Sequence, residues 1–249
     1  MAERISSRHF GANAWVVEEM YQDYLSDPKT VSKSWREFFA GNEPAGDEPA
    51  PDPPVTDRAE RVGQAEPDGD GQVPADATPL RGAQSAIAKN MTSSLSMPTA
   101  TSIRVVPAKL LEVNRRIVNN QLSRTRGGKM SFTHLIGWAV VRGLERVPAM
   151  LSSYHESDGK AFARRPEHLN LGLAIDVERD GGRSLLVPNI KQADTLDFFG
   201  FYLAYQEVIR RVRERKLDPE MFAGTTATLT NPGTVGTVGS VPRLMPGQS

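Results

Sequence analysis

Residues 170–190 constrain the fold more than any other part of the chain. From Leu171 to Val177 apolar residues alternate with small or acidic ones, which is the period of two typical of a β-strand. Residues 180–182 (DGG) predict a turn, since glycine adopts a positive φ without steric cost. Residues 184–190 form a second apolar run. The pattern therefore predicts a β-hairpin.

One face of the first predicted strand carries only small side chains, those of Gly172, Ala174 and Asp176. Another part of the structure can approach such a face closely. Close packing of the sheet against the rest of the protein is the favoured interpretation, and a large group lying against the face is the alternative.

The rest of residues 80–249 predicts helices that cover a sheet. The clearest helical stripe runs from Phe198 to Val212 and is followed by a third predicted strand over 227–231. Helices are also expected over 80–96, over 110–122 and after Ser131, which can cap a helix N-terminus. Residues 102–106 predict a further strand. This mixture favours an α/β layered architecture.

Charge divides the chain into three segments, although the 30 basic and 30 acidic residues balance overall. Residues 41–79 hold ten acidic residues, two basic ones and eight of the 18 prolines, and they contain no aromatic residue. This composition predicts an extended, disordered linker. Residues 80–249 have a net charge of +9, which suits an anionic ligand or partner. No nucleic-acid motif accompanies that charge.

Residues 1–40 predict two short helices with apolar, mostly aromatic faces. The first face includes Trp15, Met20 and Tyr24, and the second includes Trp35 and Phe39. Because a segment of this length cannot bury both faces by itself, it is expected to dock on another surface. Because a long linker follows, a partner protein is the favoured surface, and the chain's own domain is the alternative.

Composition also excludes several functional classes. The chain has no cysteine, so disulfides, thiolate catalysis and Cys-ligated metals are ruled out. No apolar run is long enough to span a bilayer, and residues 1–10 lack the apolar core of a signal peptide. A cytoplasmic protein without a membrane or nucleic-acid partner is expected.

Seven short stretches in residues 80–249 follow the order and spacing of a known family. They are 86–91, 111–115, 129–131, 170–177, 186–190, 215–217 and 229–233. Through them this region resembles the catalytic domain of the dihydrolipoyl acyltransferases of 2-oxo-acid dehydrogenases, relatives of chloramphenicol acetyltransferase. The resemblance implies a chloramphenicol acetyltransferase-like α/β fold and acyl transfer from a dihydrolipoyl group to coenzyme A.

A second resemblance concerns the N-terminal segment. Residues 10–13 (FGAN) and 34–39 (SWREFF) resemble the N-terminus of the 2-oxoglutarate dehydrogenase component. The whole arrangement resembles the start of actinobacterial multifunctional enzymes of 2-oxoglutarate metabolism, which join a succinyltransferase-like domain to a thiamine-diphosphate decarboxylase. It implies a helical segment at 1–40, a linker at 41–79 and an acyltransferase-like domain at 80–249.

The resemblance also implies roles for four residues. Thr230 would stabilise the oxyanion of the tetrahedral intermediate through its hydroxyl. Arg115, Lys129 and Ser131 would contact the nucleotide end of coenzyme A, and cationic side chains suit phosphate through charge and donors. From the residues alone, Thr230 also fits an ordinary strand threonine, and the basic residues fit a solvated face. No metal site is expected.

The catalytic histidine of the family lies in a DHR-type motif beyond the stretch that matches 229–233, and the sequence ends before it. His9, His134, His155 and His168 do not match that base. We therefore expect an acyltransferase domain truncated at its C-terminus. Thiamine diphosphate and magnesium would belong to the missing C-terminal part of the parent enzyme, and the dihydrolipoyl group to a partner chain.

Two functional interpretations remain. In the first, the chain is the N-terminal portion of a tricarboxylic acid cycle enzyme that transfers succinyl from dihydrolipoyl to coenzyme A. In the second, it is a non-catalytic module that forms a trimer and recruits components of the pyruvate and 2-oxoglutarate dehydrogenase complexes, namely the acyltransferase core and a lipoyl domain. Both imply a trimer-based homo-oligomer.

Overall fold

The computed structural model describes residues 10, 13–41, 77, 79, 83–95, 97–125, 127–179, 182–232, 237, 239–241, 243–244 and 248. Most of the predicted linker lies outside the described residues. The helices and strands are, in chain order, α1 (Ala14–Ser26), α2 (Lys33–Gly41), α3 (Ala83–Leu95), α4 (Lys109–Thr125), α5 (Phe132–Arg146), β1 (Ser153–Ser157), β2 (Lys160–Arg164), β3 (Leu171–Leu173), β4 (Ile175–Arg179), β5 (Gly182–Leu186), β6 (Asn189–Ile190), α6 (Phe198–Arg213) and β7 (Ala227–Leu229).

A three-stranded sheet with the order β6-β3-β7 forms the centre of the fold. β3 pairs antiparallel with β6 and parallel with β7. β4 and β5 pair antiparallel from Ile175↔Leu186 to Arg179↔Gly182, so the predicted hairpin is confirmed. The first predicted strand is interrupted at Ala174, whose backbone N–H donates to the Leu229 carbonyl at 3.0 Å. The base of the hairpin therefore belongs to the central sheet, whereas its tip forms a separate ribbon.

Gly172 explains the small-residue face of β3. A Cβ atom at this position would lie 2.8 Å from Thr225 Cγ2 and 3.1 Å from Val187 Cγ1. Both distances are shorter than ordinary van der Waals contact, so a larger residue would displace its neighbours. The close-packing interpretation is confirmed at this position.

Helices α5 and α6 pack with the central sheet to form one of two hydrophobic cores. Its fully buried members include Val141 of α5, Leu171 of β3 and Phe201 of α6. The apolar stripe predicted for α6 is confirmed, since Phe201, Tyr202, Val208 and Val212 are buried. The Asp197 side chain caps this helix by accepting from the Gly200 N–H at 2.6 Å.

The second core joins the N-terminal helices to the acyltransferase-like region. Trp35 and Phe39 of α2 pack with Leu186 at the end of β5, Val212 of α6 and Phe222. The expectation that this segment docks on a partner protein is therefore wrong, because Trp35 and Phe39 of the second helix are already buried against the chain's own domain. The side chain of Trp15 lies outside the described part of the structure. Burying a face of this size supplies the hydrophobic stabilisation that so short a segment lacks in isolation.

Directional hydrogen bonds fix the register of this docking. Trp35 Nε1 donates to the Leu217 carbonyl at 2.7 Å. Asn13 Nδ2 donates to the Val187 carbonyl at 2.9 Å, and its Oδ1 accepts from the Val187 N–H at 2.8 Å. Because these groups are buried, each unmet bond would carry a desolvation cost, so the docking geometry is specific.

The strand predicted over residues 102–106 is wrong. These residues adopt no regular structure, and Val105 is 95% exposed. Alternating β-branched residues favour an extended backbone, but a strand also needs a hydrogen-bonding neighbour, and the described residues provide none here. Helix α4 follows, as predicted, yet it has no buried residue, and Leu110, Val113 and Ile117 remain exposed.

Membrane-spanning helices and metal-binding clusters are both absent from the described residues. None of the described helices is both long and apolar enough to cross a membrane. No group of three or more His, Asp or Glu side chains is arranged to hold a metal ion within the described part of the chain.

Candidate binding pocket

A large open pocket lies between α4, α5 and α6, with a volume of about 1240 Å³. The loop 127–129 and the residues that begin α5 form one side, and α6 forms the other. It is called the α4–α6 pocket below. Its lining combines aromatic and aliphatic side chains with hydroxyl, amide and cationic groups: Leu111, Arg115, Lys129, Ser131, Phe132, Thr133, His134, Tyr202, Tyr205, Gln206, Ile209, Arg213 and Asn231 among others.

The structure brings together the three residues predicted to contact coenzyme A. Arg115 extends from α4, Lys129 belongs to the loop, and Ser131 is the N-cap residue of α5, and all three line the α4–α6 pocket. The Arg115 guanidinium carbon lies 4.2 Å from the centre of the Phe132 ring. Its buried Nε has no hydrogen-bond partner among the described residues. A buried guanidinium N–H without an acceptor is a candidate for ligand contact.

The charge of the pocket favours an anion. Arg115, Lys129 and Arg213 line it, and its described lining contains no Asp or Glu.

Gly128 has a φ of +101°, and a Cβ atom there would lie 2.6 Å from the Tyr202 hydroxyl. Glycine thus permits both the turn and the close approach of the loop to α6.

His134 also lines this pocket, and sequence reasoning does not predict that role for it. Its ring lies between α5 and α6, with the Tyr205 and Tyr202 ring centres 4.0 and 5.1 Å away. The side chain is 3% exposed, and burial lowers the pKa of His134 to about 4. Its Nδ1 accepts from the Ser131 N–H at 3.0 Å. The signal was the spacing from Ser131 to His134, which matches a capping box in which histidine replaces the usual Glu or Gln.

Tyr205 completes the polar wall beside His134. Burial raises the pKa of its phenol above the ordinary value, while hydrogen bonds with the side chains of Thr133 and Ser131 act in the opposite direction. The phenol therefore stays protonated near neutral pH and remains a donor.

Thr230 occupies a different place from the predicted coenzyme A residues. It follows the end of β7, its side chain is exposed, and it is not part of the described lining of the α4–α6 pocket. Its neighbour Asn231 does line the pocket and donates through Nδ2 to Thr133 Oγ1 at 2.9 Å. The structure thus places Thr230 one residue away from the pocket wall.

The other described histidines lie at the far end of the central sheet. A cavity of about 520 Å³ there includes His155 and His168. His168 Nδ1 lies 3.1 Å from Asp194 Oδ2, and His155 Nε2 lies 3.1 Å from Ser153 Oγ. Each ring is thus held by a neighbouring side chain, in a cavity separate from the α4–α6 pocket. His9 lies outside the described residues.

Two family models match the chain. Residues 73–249 match the 2-oxoacid dehydrogenases acyltransferase (catalytic domain). Residues 6–46 match the 2-oxoglutarate dehydrogenase N-terminus. The two resemblances seen in the sequence are confirmed by these matches.

Curated relatives carry both regions in one protein. The chain is 44% identical to the multifunctional 2-oxoglutarate metabolism enzyme of Mycolicibacterium vanbaalenii, over 96% of the chain and 23% of that protein. It is 42% identical to the protein of the same name from Mycobacterium sp. strain JLS, over 96% of the chain and 24% of the relative. The chain therefore spans about a quarter of the length of these relatives.

Solved structures share the fold. A probable dihydrolipoamide acetyltransferase from Listeria monocytogenes superposes with a TM-score of 0.59 and 26% identity, covering 72% of each chain. The cubic core of a pyruvate dehydrogenase multienzyme complex superposes with a TM-score of 0.58 and 21% identity, covering 75% of this chain and 73% of the other. The predicted fold class is thus confirmed.

Proposed function

Because the chain belongs to the family of 2-oxoacid dehydrogenase acyltransferase catalytic domains, we propose that its α4–α6 pocket binds coenzyme A for acyl transfer. The proposed acyl group is succinyl, which is what 2-oxoglutarate leaves after decarboxylation, and a partner chain would carry it on a dihydrolipoyl group. Support comes from the names of the relatives, one for 2-oxoglutarate metabolism and one for dihydrolipoamide acetyl transfer. The chain would act within a larger cytoplasmic enzyme of 2-oxoglutarate metabolism. Any thiamine diphosphate and magnesium would be held by other parts of that enzyme.

The observation that carries the proposal is the convergence of Arg115, Lys129 and Ser131 on one pocket. Arg115 belongs to α4 and Lys129 and Ser131 to the following loop and the α5 N-terminus, and the turn between the two helices brings all three to the same cavity. The cavity offers cations for phosphates, donors for amide carbonyls and apolar walls for a pantetheine arm. Its volume of about 1240 Å³ is ample for a ligand of nucleotide size.

In the proposed reaction coenzyme A supplies the attacking thiol. Its sulfur forms a bond to the thioester carbonyl carbon and loses its proton, and the bond from that carbon to the dihydrolipoyl sulfur then breaks as this sulfur gains a proton. The Thr230 hydroxyl would donate to the transient oxyanion, a contribution of a few kcal/mol. Because Thr230 adjoins Asn231 of the pocket wall, the reacting thioester would lie near the end of β7.

Two neighbouring arginines provide a matched test. Arg115 lines the pocket, whereas Arg116 forms an exposed ion pair with Glu112 at 3.2 Å. We expect Arg115→Gln to weaken coenzyme A binding about tenfold, because it removes a charged donor to phosphate. Arg116→Gln should leave the dissociation constant within about twofold, as exposed pairs contribute little. Isothermal titration calorimetry of both variants decides this, and equal effects would refute the assignment of the pocket.

A second candidate function is assembly. Ile103 and Val105 before α4, and Leu110 and Ile117 on α4, are exposed large apolar side chains, called the exposed region below. Exposed apolar side chains favour protein association where they lie together. We propose, as the alternative, a module that trimerises and recruits the acyltransferase core and lipoyl domain of 2-oxo-acid dehydrogenase complexes. Co-sedimentation with a purified acyltransferase core tests it, and it fails if the chain remains a free monomer.

A further inference from the structure

His134 presents a fixed neutral donor in the α4–α6 pocket. The backbone N–H of Ser131 can only donate, so the His134 Nδ1 that receives it at 3.0 Å must be an unprotonated acceptor. The Ser131 hydroxyl lies 2.7 Å from the same nitrogen. The single proton of the neutral ring is therefore on Nε2. Contacts with the rings of Tyr202 and Tyr205 hold the imidazole in this orientation.

The neighbour of this donor is poorly matched to it. Gln206 Nε2 lies 3.3 Å from His134 Nε2 and also donates to the Lys129 carbonyl at 3.2 Å. Two nitrogens that both carry hydrogen cannot bond to each other. If the amide were rotated so that its oxygen faced His134, that oxygen would instead face the Lys129 carbonyl. In either orientation of the amide, Gln206 can therefore form a hydrogen bond with only one of its two neighbours, His134 Nε2 or the Lys129 carbonyl.

An acceptor from outside the chain would relieve this mismatch. The described lining of the pocket contains no carboxylate, so the missing acceptor does not come from a neighbouring acidic side chain. A buried donor without an acceptor is costly, and a ligand oxygen near both nitrogens would remove that cost. In the free protein a water can occupy the position, and a ligand would displace it.

We infer that His134 Nε2–H and the Gln206 amide together bind a carbonyl oxygen of an amide-containing ligand arm, which for coenzyme A means the pantetheine portion. The inference rests on the proposed function. A neutral oxygen fits because both groups are uncharged donors beside the aromatic rings of Tyr202 and Tyr205. The phosphates of the same ligand would lie towards the pocket cations, Arg115 and Lys129. His134 and Gln206 are thus positioning residues for the arm.

The direct test is nitrogen-15 NMR of the full chain labelled at histidine. We expect His134 to show the Nε2–H form without ligand. Coenzyme A and pantetheine should both shift its Nε2 resonance, whereas adenosine 3′,5′-bisphosphate, which lacks the arm, should leave it unchanged. The other histidines serve as internal references. A shift with the bisphosphate alone, or none with pantetheine, would overturn the inference.

Binding measurements on a matched pair of glutamine variants provide the second test. Gln206→Leu should weaken pantetheine binding roughly threefold to tenfold, the value of one hydrogen bond, and weaken bisphosphate binding very little. Gln121→Leu, on the exposed surface of α4, should change neither. If coenzyme A binds and Gln206→Leu equals the parent, the inference fails while the coenzyme A assignment stands. If coenzyme A does not bind the parent chain at all, both fail.

Discussion

The N-terminal helices and helix α4 are similar in sequence character but opposite in burial. Both contain amphipathic segments with clear apolar faces. In α2, Trp35 is 1% exposed and makes a directional bond to the rest of the domain. In α4, Ile117 is 61% exposed. The comparison shows that an apolar face specifies the need for a partner, whereas the presence of that partner depends on the tertiary fold.

The largest effect is expected from removing the anchor of the N-terminal helices. Trp35→Ala should lower the free energy of unfolding by about 3–5 kcal/mol, since it deletes a fully buried ring and the bond to Leu217. Ile117→Ala in α4 should change it by less than about 0.5 kcal/mol. Urea unfolding monitored by circular dichroism provides both values. Similar values for the two variants would contradict the comparison.

The next test concerns His134, a buried residue that lines the same pocket as the exposed helix α4. Folding lowers its pKa from the ordinary 6.5 to about 4, so the unfolded chain binds more protons between these values. The contribution of this residue is therefore complete above pH 6.5 and is lost as the pH falls towards 4. It amounts to no more than about 3 kcal/mol.

A substitution of His134 isolates its pH-dependent contribution to the free energy of unfolding. His134→Asn should be less stable than the parent at pH 7 but should lose less stability between pH 6.5 and pH 4. Urea unfolding at a series of pH values measures the difference between the two chains. Parallel stability curves would mean that His134 titrates normally in the folded state.

A smaller effect is expected at the start of α1. Asn13→Ala should lower the free energy of unfolding by about 2 kcal/mol, because it removes both bonds to Val187 and leaves buried backbone groups unpaired. Asn120→Ala on the exposed surface of α4 is the matched control and should be nearly neutral. The same urea titration applies, and a neutral Asn13→Ala would show that the docking does not depend on this contact.

The smallest effect on folding is expected before α4. Val105→Ser should leave the free energy of unfolding within about 0.5 kcal/mol, since the side chain is 95% exposed. If the exposed region mediates association, the same change should shift sedimentation velocity profiles towards smaller species. Loss of stability without any change in association would show that Val105 is buried within the chain.

The sequence predicted well those features that depend on neighbouring residues. The hairpin of β4 and β5, the stripe of α6 and the cap at Ser131 follow from local periodicity and turn chemistry. The strand predicted over residues 102–106 is wrong because β-branched residues favour an extended backbone but carry no information about a pairing strand. The docking of α2 was equally hidden, since Trp35 and Leu217 are 182 positions apart and only the fold brings them together.

In the candidate site, too, some residues can be predicted from the sequence and others depend on contacts that only the fold creates. The resemblance identified Arg115, Lys129 and Ser131, and the fold places them in one pocket. Sequence reasoning does not single out His134, because a histidine in the first turn of a helix fits an ordinary packing or surface residue. Its importance depends on Gln206, which lies 72 positions away on another helix. Contacts of this kind cannot be deduced from spacing within one helix.

A crystal structure of the chain with coenzyme A tests the central proposal most directly. We expect density in the α4–α6 pocket, with phosphates near Arg115 and Lys129 and a pantetheine carbonyl close to His134 Nε2. The thiol should point towards Thr230 at the end of β7. Coenzyme A bound elsewhere on the chain, with the α4–α6 pocket containing only solvent, would contradict the assignment.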